Sequence, residues 1–143
     1  MKQYLPQIFA LLTAMAWGIG GYFEKKGLHD GGLSPQMGIT IRTGVALIIL
    51  GIVSFPQWKT LGQAGSKSLT MMIIGGGVVA GAVGMLCFYT ALKGAPLNRV
   101  MPIAFTSPLF GALMGIILGG DPLTLKTGIG MLLTIAGIIV LTI

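Results

Sequence analysis

Glu24, Arg42, Tyr89 and Trp17, together with the neighbours Thr106 and Ser107, are the polar and aromatic residues of this otherwise apolar chain that have the chemistry to hold a solute. A carboxylate and a guanidinium can pair with each other or with opposite charges on a ligand, and a tyrosine hydroxyl can donate or accept. A tryptophan ring face attracts a cationic or apolar group. Thr106 and Ser107 lie between Pro102 and Pro108, where missing backbone donors leave carbonyls free for a ligand or for nearby hydroxyls. The chain has no Walker-type glycine loop, no HExxH and no Ser/His/Asp set, and His29 sits in a polar stretch beside Asp30 as a solvated histidine. This is the chemistry of binding rather than of covalent or metal catalysis. The expectation is therefore a protein that is not an enzyme and uses no cofactor or metal.

The setting of these residues is a membrane. Of 143 residues, 54% are hydrophobic and 8% charged, with a mean hydropathy of +0.91; a soluble domain is nearer a quarter charged. The length suits one domain with no soluble appendage. The net charge of +6 comes from lysines and arginines spread mostly over short loops, where they set orientation and meet anionic headgroups. Without a basic run or an aromatic platform, nucleic acid is not a partner. Cys87 is the single cysteine, so an intrachain disulfide is impossible and a buried apolar thiol is expected. Lys2, the apolar run from Ile8 and Ala14-Met15-Ala16 imitate a signal peptide, but the run continues to Phe23, which predicts a retained first helix.

A spanning helix needs about 20 mostly apolar residues. Five stretches qualify, at residues 4–23, 35–55, 69–92, 100–119 and 123–143, separated by polar breaks. The predicted fold is an all-α integral membrane bundle of five transmembrane helices in a single domain over residues 1–143. Open strands are excluded because lipid cannot satisfy their backbone groups.

Each candidate residue has a plain reading beside the functional one. Glu24, Lys25 and Lys26 either cap the first helix at the interface or, if that helix runs on to about Leu28, face a cavity. Trp17 either packs between helices or offers its ring to a substrate. Arg42 lies about two turns into the second helix, where it either snorkels to the interface or faces a cavity with Glu24 as partner. At the bilayer centre an arginine costs about 2.5–3.5 kcal/mol on insertion scales. Tyr89 is either a belt residue or a hydrogen-bonding cavity residue. Pro102 and Pro108 make a helix break that is either buried in the bundle or part of a site. Gly77 and Gly81, Gly111 and Gly115, and Gly130 and Gly137 are small-residue faces for helix packing within or between chains.

Five spans put the ends on opposite sides. Lys2, Lys59, Lys67 and Lys126 then face Lys25, Lys26, Lys93 and Arg99 across the membrane, with Arg42 near the second group. The positive-inside rule gives almost no preference, so the chain is expected to insert both ways and pair as an antiparallel homodimer, an inverted repeat without fusion.

The order of these residues resembles one repeat of EamA type from the drug/metabolite transporter superfamily. The resemblance rests on Trp17-Gly18 followed by Lys25 and Lys26, Ser34-Pro35 and Arg42, Tyr89 to Lys93 as Tyr-x-Ala-Leu-Lys, Pro102 and Pro108, Leu123-Thr124, and the glycine-rich closing stretch from Gly128 to Gly137. It covers essentially the whole chain. In the turn before the last helix the family usually has Gly-Glu, and here Gly119-Gly120-Asp121 puts Asp121 in that place. The related small multidrug resistance proteins carry a membrane-embedded Glu where Trp17 or Gly18 stands, so Glu24 is not that residue. The Gly130/Gly137 spacing is similar to the last-helix dimerisation face of those proteins.

The resemblance implies a secondary transporter of the inner (plasma) membrane, working as an antiparallel homodimer. Its substrate would be a small metabolite or amphipathic cation, bound at the midplane and lined by Trp17, Glu24, Arg42, Tyr89, Thr106 and Ser107. Two other readings stand beside it: one subunit of a hetero-pair such as a lipid-linked sugar flippase, and a non-transporting membrane scaffold.

Overall fold

A computed structural model describes residues 4–142, so Lys2 and the end of the last expected helix at Ile143 lie outside the described residues. Seven α-helices follow one another: α1 Leu5–Asp30, α2 Pro35–Ser54, α3 Ser66–Met71, α4 Met85–Gly94, α5 Leu97–Ala104, α6 Ser107–Gly119 and α7 Leu125–Thr142. A 3₁₀ helix, Phe55–Gln63, prolongs α2, and a π-helix, Met72–Gly84, joins α3 to α4. No strand occurs among the described residues.

Four helical stretches are long and apolar enough to cross a membrane: Pro35–Gln63, Ser66–Gly94, Leu97–Gly119 and Leu125–Thr142. They make this an integral membrane protein. The expected first span is not among the four. Helix α1 has 26 residues, ample length for a crossing, but Pro6, Gln7, Thr13 and three glycines between Trp17 and Tyr22 dilute its hydropathy.

Three element ends differ from the sequence expectation. Helix α1 runs seven residues beyond Phe23, because nothing between Glu24 and Asp30 breaks a helix; charge ends a hydrophobic run, not a hydrogen-bond ladder. It stops at the glycine pair, where the Gly31 N–H bonds Gly27 O and Gly32 takes φ +58°. The break expected over 56–67 is largely helical. Pro56 lies in the first turn of the 3₁₀ helix, where its fixed φ suits a helical start. Trp58 Nε1 donates to Ser54 Oγ at 3.0 Å and Thr60 Oγ1 to Gln57 O at 2.6 Å. The fourth segment is two helices: Pro102 lies inside α5 and Pro108 in the first turn of α6. The turn between them is tied by Phe105 N to Met101 O and Thr106 N to Ile103 O.

The π-helix coincides with the most glycine-rich part of the chain. A Cβ on Gly81 would meet Gly76 O at 3.0 Å, and one on Gly84 would meet Val79 O at 3.3 Å. Each carbonyl belongs to the residue five earlier, the π-helical partner position. Glycine leaves room for them.

The chain divides into two compact units, Met1–Gly94 and Ala95–Ile143. In the first, the C-terminal end of α1, the N-terminal end of α2 and α4 converge, and Leu28, Tyr89 and Leu92 form the buried core. In the second, α5 packs on α7. Helix α6 ends at Gly120, φ +73°; the Asp121 N–H returns to Gly115 O at 3.0 Å, and the Asp121 carboxylate lies over the Gly115 Cα.

Most large apolar side chains of both units point outward, as expected for a surface that lipid or another protein covers. Cys87 is also exposed, contrary to the buried thiol expected. It precedes the buried Tyr89 by two residues, and positions two apart point to opposite sides of a helix. Gly111, Gly130 and Gly137 have open space where a Cβ would stand, and Gly77 meets only a carbonyl of its own helix.

Candidate functional site

Of the residues singled out in sequence, Glu24, Arg42 and Tyr89 come together in the first unit. Helix α1 presents Gly21, Glu24, Lys25, Leu28 and His29 along one stripe, at the three- and four-residue spacing that keeps side chains on one face. Helix α2 presents Gly38 and Arg42, one turn apart. Helix α4 presents Tyr89, Leu92 and Lys93. Leu28 and Tyr89 are each 2% exposed and Leu92 is fully buried, so this apolar packing fixes where the polar tips end up.

Arg42 Nε lies 2.8 Å from Glu24 Oε1, and the side chains are 39% and 21% exposed respectively. The Tyr89 side chain lies beside the Glu24 carboxylate as well, close enough for the two to interact. Glu24 thus sits where three helices meet, with its own charge offset by α2 and the Tyr89 side chain of α4 close by. The start of α2 is set locally: Ser34 Oγ accepts from the Met37 N–H at 3.2 Å and Pro35 occupies the first turn, the Ser-Pro signature of a helix N-terminus.

Gly38 was not singled out in sequence, and the site depends on it. A Cβ there would stand 2.6 Å from Leu28 Cδ2 and 2.9 Å from Tyr89 Cε1. Its bare Cα is what lets α2 approach the other two helices closely enough for Arg42 to reach Glu24. A glycine one turn before an arginine on the same helix face of an apolar segment is the signal that was available.

The other cations of this region serve the helix ends. Lys25 Nζ donates to Leu92 O at 2.8 Å, and His29 Nε2 lies 3.4 Å from the same oxygen. Lys93 Nζ donates to Leu28 O at 3.3 Å and also to Leu33 O. Helices α1 and α4 therefore exchange cations: Lys25 serves a carbonyl in the last turn of α4, and Lys93 serves Leu28 O in the last turn of α1, which also accepts from the Leu33 N–H, and Leu33 O just beyond it, at helix ends whose dipoles favour cations. Lys93→Met is expected to remove both bonds and cost about 1–2 kcal/mol, since charge-assisted hydrogen bonds contribute about 1.5–3 kcal/mol and this one is only part-buried. Thermal unfolding in detergent checks it; an unchanged midpoint would show that water replaces the lysine at no cost.

Trp17 sits on α1 two turns before Glu24 and is 56% exposed. Thr106 and Ser107 lie in the second unit at the α5–α6 break, where Thr106 Oγ1 bonds Ile103 O at 2.8 Å; its hydroxyl serves the interrupted helix. An open apolar groove lies elsewhere, lined by Leu47, Ile48, Gly51, Ile52, Phe55 and Trp58. It lacks a charged group. Among the described residues no group of three or more His, Cys, Asp or Glu side chains is placed to hold a metal.

The sequence pattern of the EamA-like transporter family matches residues 5–143. The chain is 30% identical over 136 residues to an uncharacterized protein of Methanocaldococcus jannaschii, covering 95% of each chain. It is 24% identical over 139 residues to a Sinorhizobium sp protein named an uncharacterized transporter in the cobO 3′ region, covering 96% of each. No solved structure matches it.

Proposed function

The chain belongs to the EamA-like transporter family, within the drug/metabolite transporter superfamily, and on that premise we propose that it is a half-size secondary transporter for a small metabolite. Two copies inserted in opposite directions make one transporter in the inner (plasma) membrane, with α1 as the fifth span and the residues 1–143 acting as one repeat. Solute binds at the Glu24–Arg42–Tyr89 cluster. Rocking of one copy against the other exposes that cluster to either side in turn.

The observation that carries this reading is the cluster itself. An ion pair and a tyrosine brought together from three helices are expensive furniture for an apolar bundle, and intramembrane ionisable groups mark substrate paths by default. The outward apolar surface and the open Cα faces of Gly111, Gly130 and Gly137 support a second copy packing against this one. The even split of loop lysines and arginines supports insertion both ways.

A pair of C-terminal reporters tests the assembly, one active only in the cytoplasm and one only outside it. Comparable activity of both in cells is the expected result. Activity of one alone would rule out the self-paired inverted dimer and redirect the search to an oppositely oriented partner chain.

A further inference from the structure

Resting on the transport reading above, we infer that the solute carries an anionic group, a carboxylate or a phosphate, gripped by the two terminal amino groups of Arg42. The guanidinium has five N–H donors in a rigid fork. Glu24 engages Nε, and a single carboxylate, even lying side-on along Nε and one terminal nitrogen, leaves at least three of the five N–H donors for another anion. The two terminal amino groups form the edge that matches a pair of carboxylate or phosphate oxygens bidentately.

The ion pair is also asymmetric in access. The Arg42 side chain is 39% exposed and the Glu24 side chain 21%, and the carboxylate has the Tyr89 side chain close by. What the pair offers outward is the cation. Its surroundings reinforce that sign. Lys25 and Lys93 are drawn to helix ends nearby, Lys26 is exposed on the same last turns of α1, and only Asp30 adds to Glu24 on the acidic side. An amphipathic cation, one of the two classes the sequence left open, would have to displace Arg42 from Glu24 and then sit among the remaining cations. An anion meets unused donors at once. A zwitterion whose anionic end takes the Nη edge satisfies the same geometry. Glu24 then acts as a positioning residue: it holds Nε and so fixes which edge of the fork faces the solute.

Phenylglyoxal, which modifies accessible guanidinium groups, reads this site directly. The chain has two arginines, Arg42 and Arg99, so Arg99 is an internal reference in the same purified, detergent-solubilised protein. Pyruvate or inorganic phosphate at millimolar concentration is expected to slow modification of Arg42 by about fivefold relative to Arg99. Tetraethylammonium and glycerol should leave the ratio unchanged. Protection by neither anion, equal protection of both arginines, or protection by tetraethylammonium overturns the assignment. Protection by added phosphatidylglycerol alone assigns the edge to a lipid headgroup and overturns it as a solute site. Arg42→Lys keeps the charge and the Glu24 pairing but not the bidentate edge; its uptake of an anionic solute in proteoliposomes should fall about tenfold, and wild-type uptake would count against the grip. Proteoliposomes that take up nothing from pools of anions, zwitterions, neutral solutes and cations would defeat the transport reading separately, with the labelling ratio still deciding the anion site.

Discussion

Gly38→Val is expected to lower the thermal unfolding midpoint and abolish transport together. The added branches would have to enter a space where even a Cβ stands 2.6 Å from Leu28 Cδ2 and 3.0 Å from Tyr89 Cδ1. Neither neighbour has room to yield, since both are 2% exposed. Helix α2 must therefore move away from α1 and α4, and Arg42, one turn further along, moves with it and out of reach of Glu24. Overpacking of this kind costs about 1–3 kcal/mol, enough to matter in a unit whose buried core is Leu28, Tyr89 and Leu92. Gly38→Ala should show the same two effects at smaller size. A valine variant with wild-type midpoint and uptake would mean that α2 does not pack on this face in the membrane.

Arg42→Ala is expected to separate function from folding. The guanidinium is 39% exposed and fills no core space, and in detergent water can reach the Glu24 carboxylate it leaves behind, so its removal should leave the fold and any dimer intact there. Uptake should nevertheless fall by at least about tenfold, the loss of a charge-assisted contact to the solute. The companion variant is Glu24→Gln. If Arg42 served only to neutralise Glu24, then Glu24→Gln/Arg42→Ala would restore uptake, because no unpaired charge remains. The expected result is that the double variant stays as inactive as Arg42→Ala. Recovery in the double variant would reduce Arg42 to a counter-ion.

The sequence made the long apolar spans legible, because about 20 consecutive apolar residues have few other uses. It also made Glu24, Arg42 and Tyr89 stand out, because charge and hydroxyls are conspicuous in such company. Their convergence was less legible, since it depends on Gly38, a residue with no side chain to notice. The end of α1 was misplaced because hydropathy reports burial in lipid, whereas the helix continues on backbone hydrogen bonds that are indifferent to Glu24, Lys25 and Lys26. The stretch 56–67 reads as a polar break, but proline in a first turn starts a helix as readily as it stops one, and the helix runs on to Gln63. Thr106 shows what a sequence can offer and not choose: between two prolines its hydroxyl could meet a ligand or a carbonyl of the broken helix, and the structure shows a bond to Ile103 O.

The lysine exchange between α1 and α4 has a consequence for biogenesis. Lys93 is 65 residues downstream of Leu28, whose carbonyl it serves, and Lys25 waits 67 residues for Leu92. At roughly 5–20 residues per second of synthesis, Lys93 follows Leu28 by about 3–13 seconds and follows Ser54, where the α1–α2 hairpin is complete, by about 2–8 seconds. During that interval the cations of α1 have only water and lipid headgroups to answer them, so the hairpin's orientation is not yet locked by its own chain. Closure comes as Gly94 emerges, where the first compact unit ends. The bolt that closes this half of the molecule is thus the last part of it to be made.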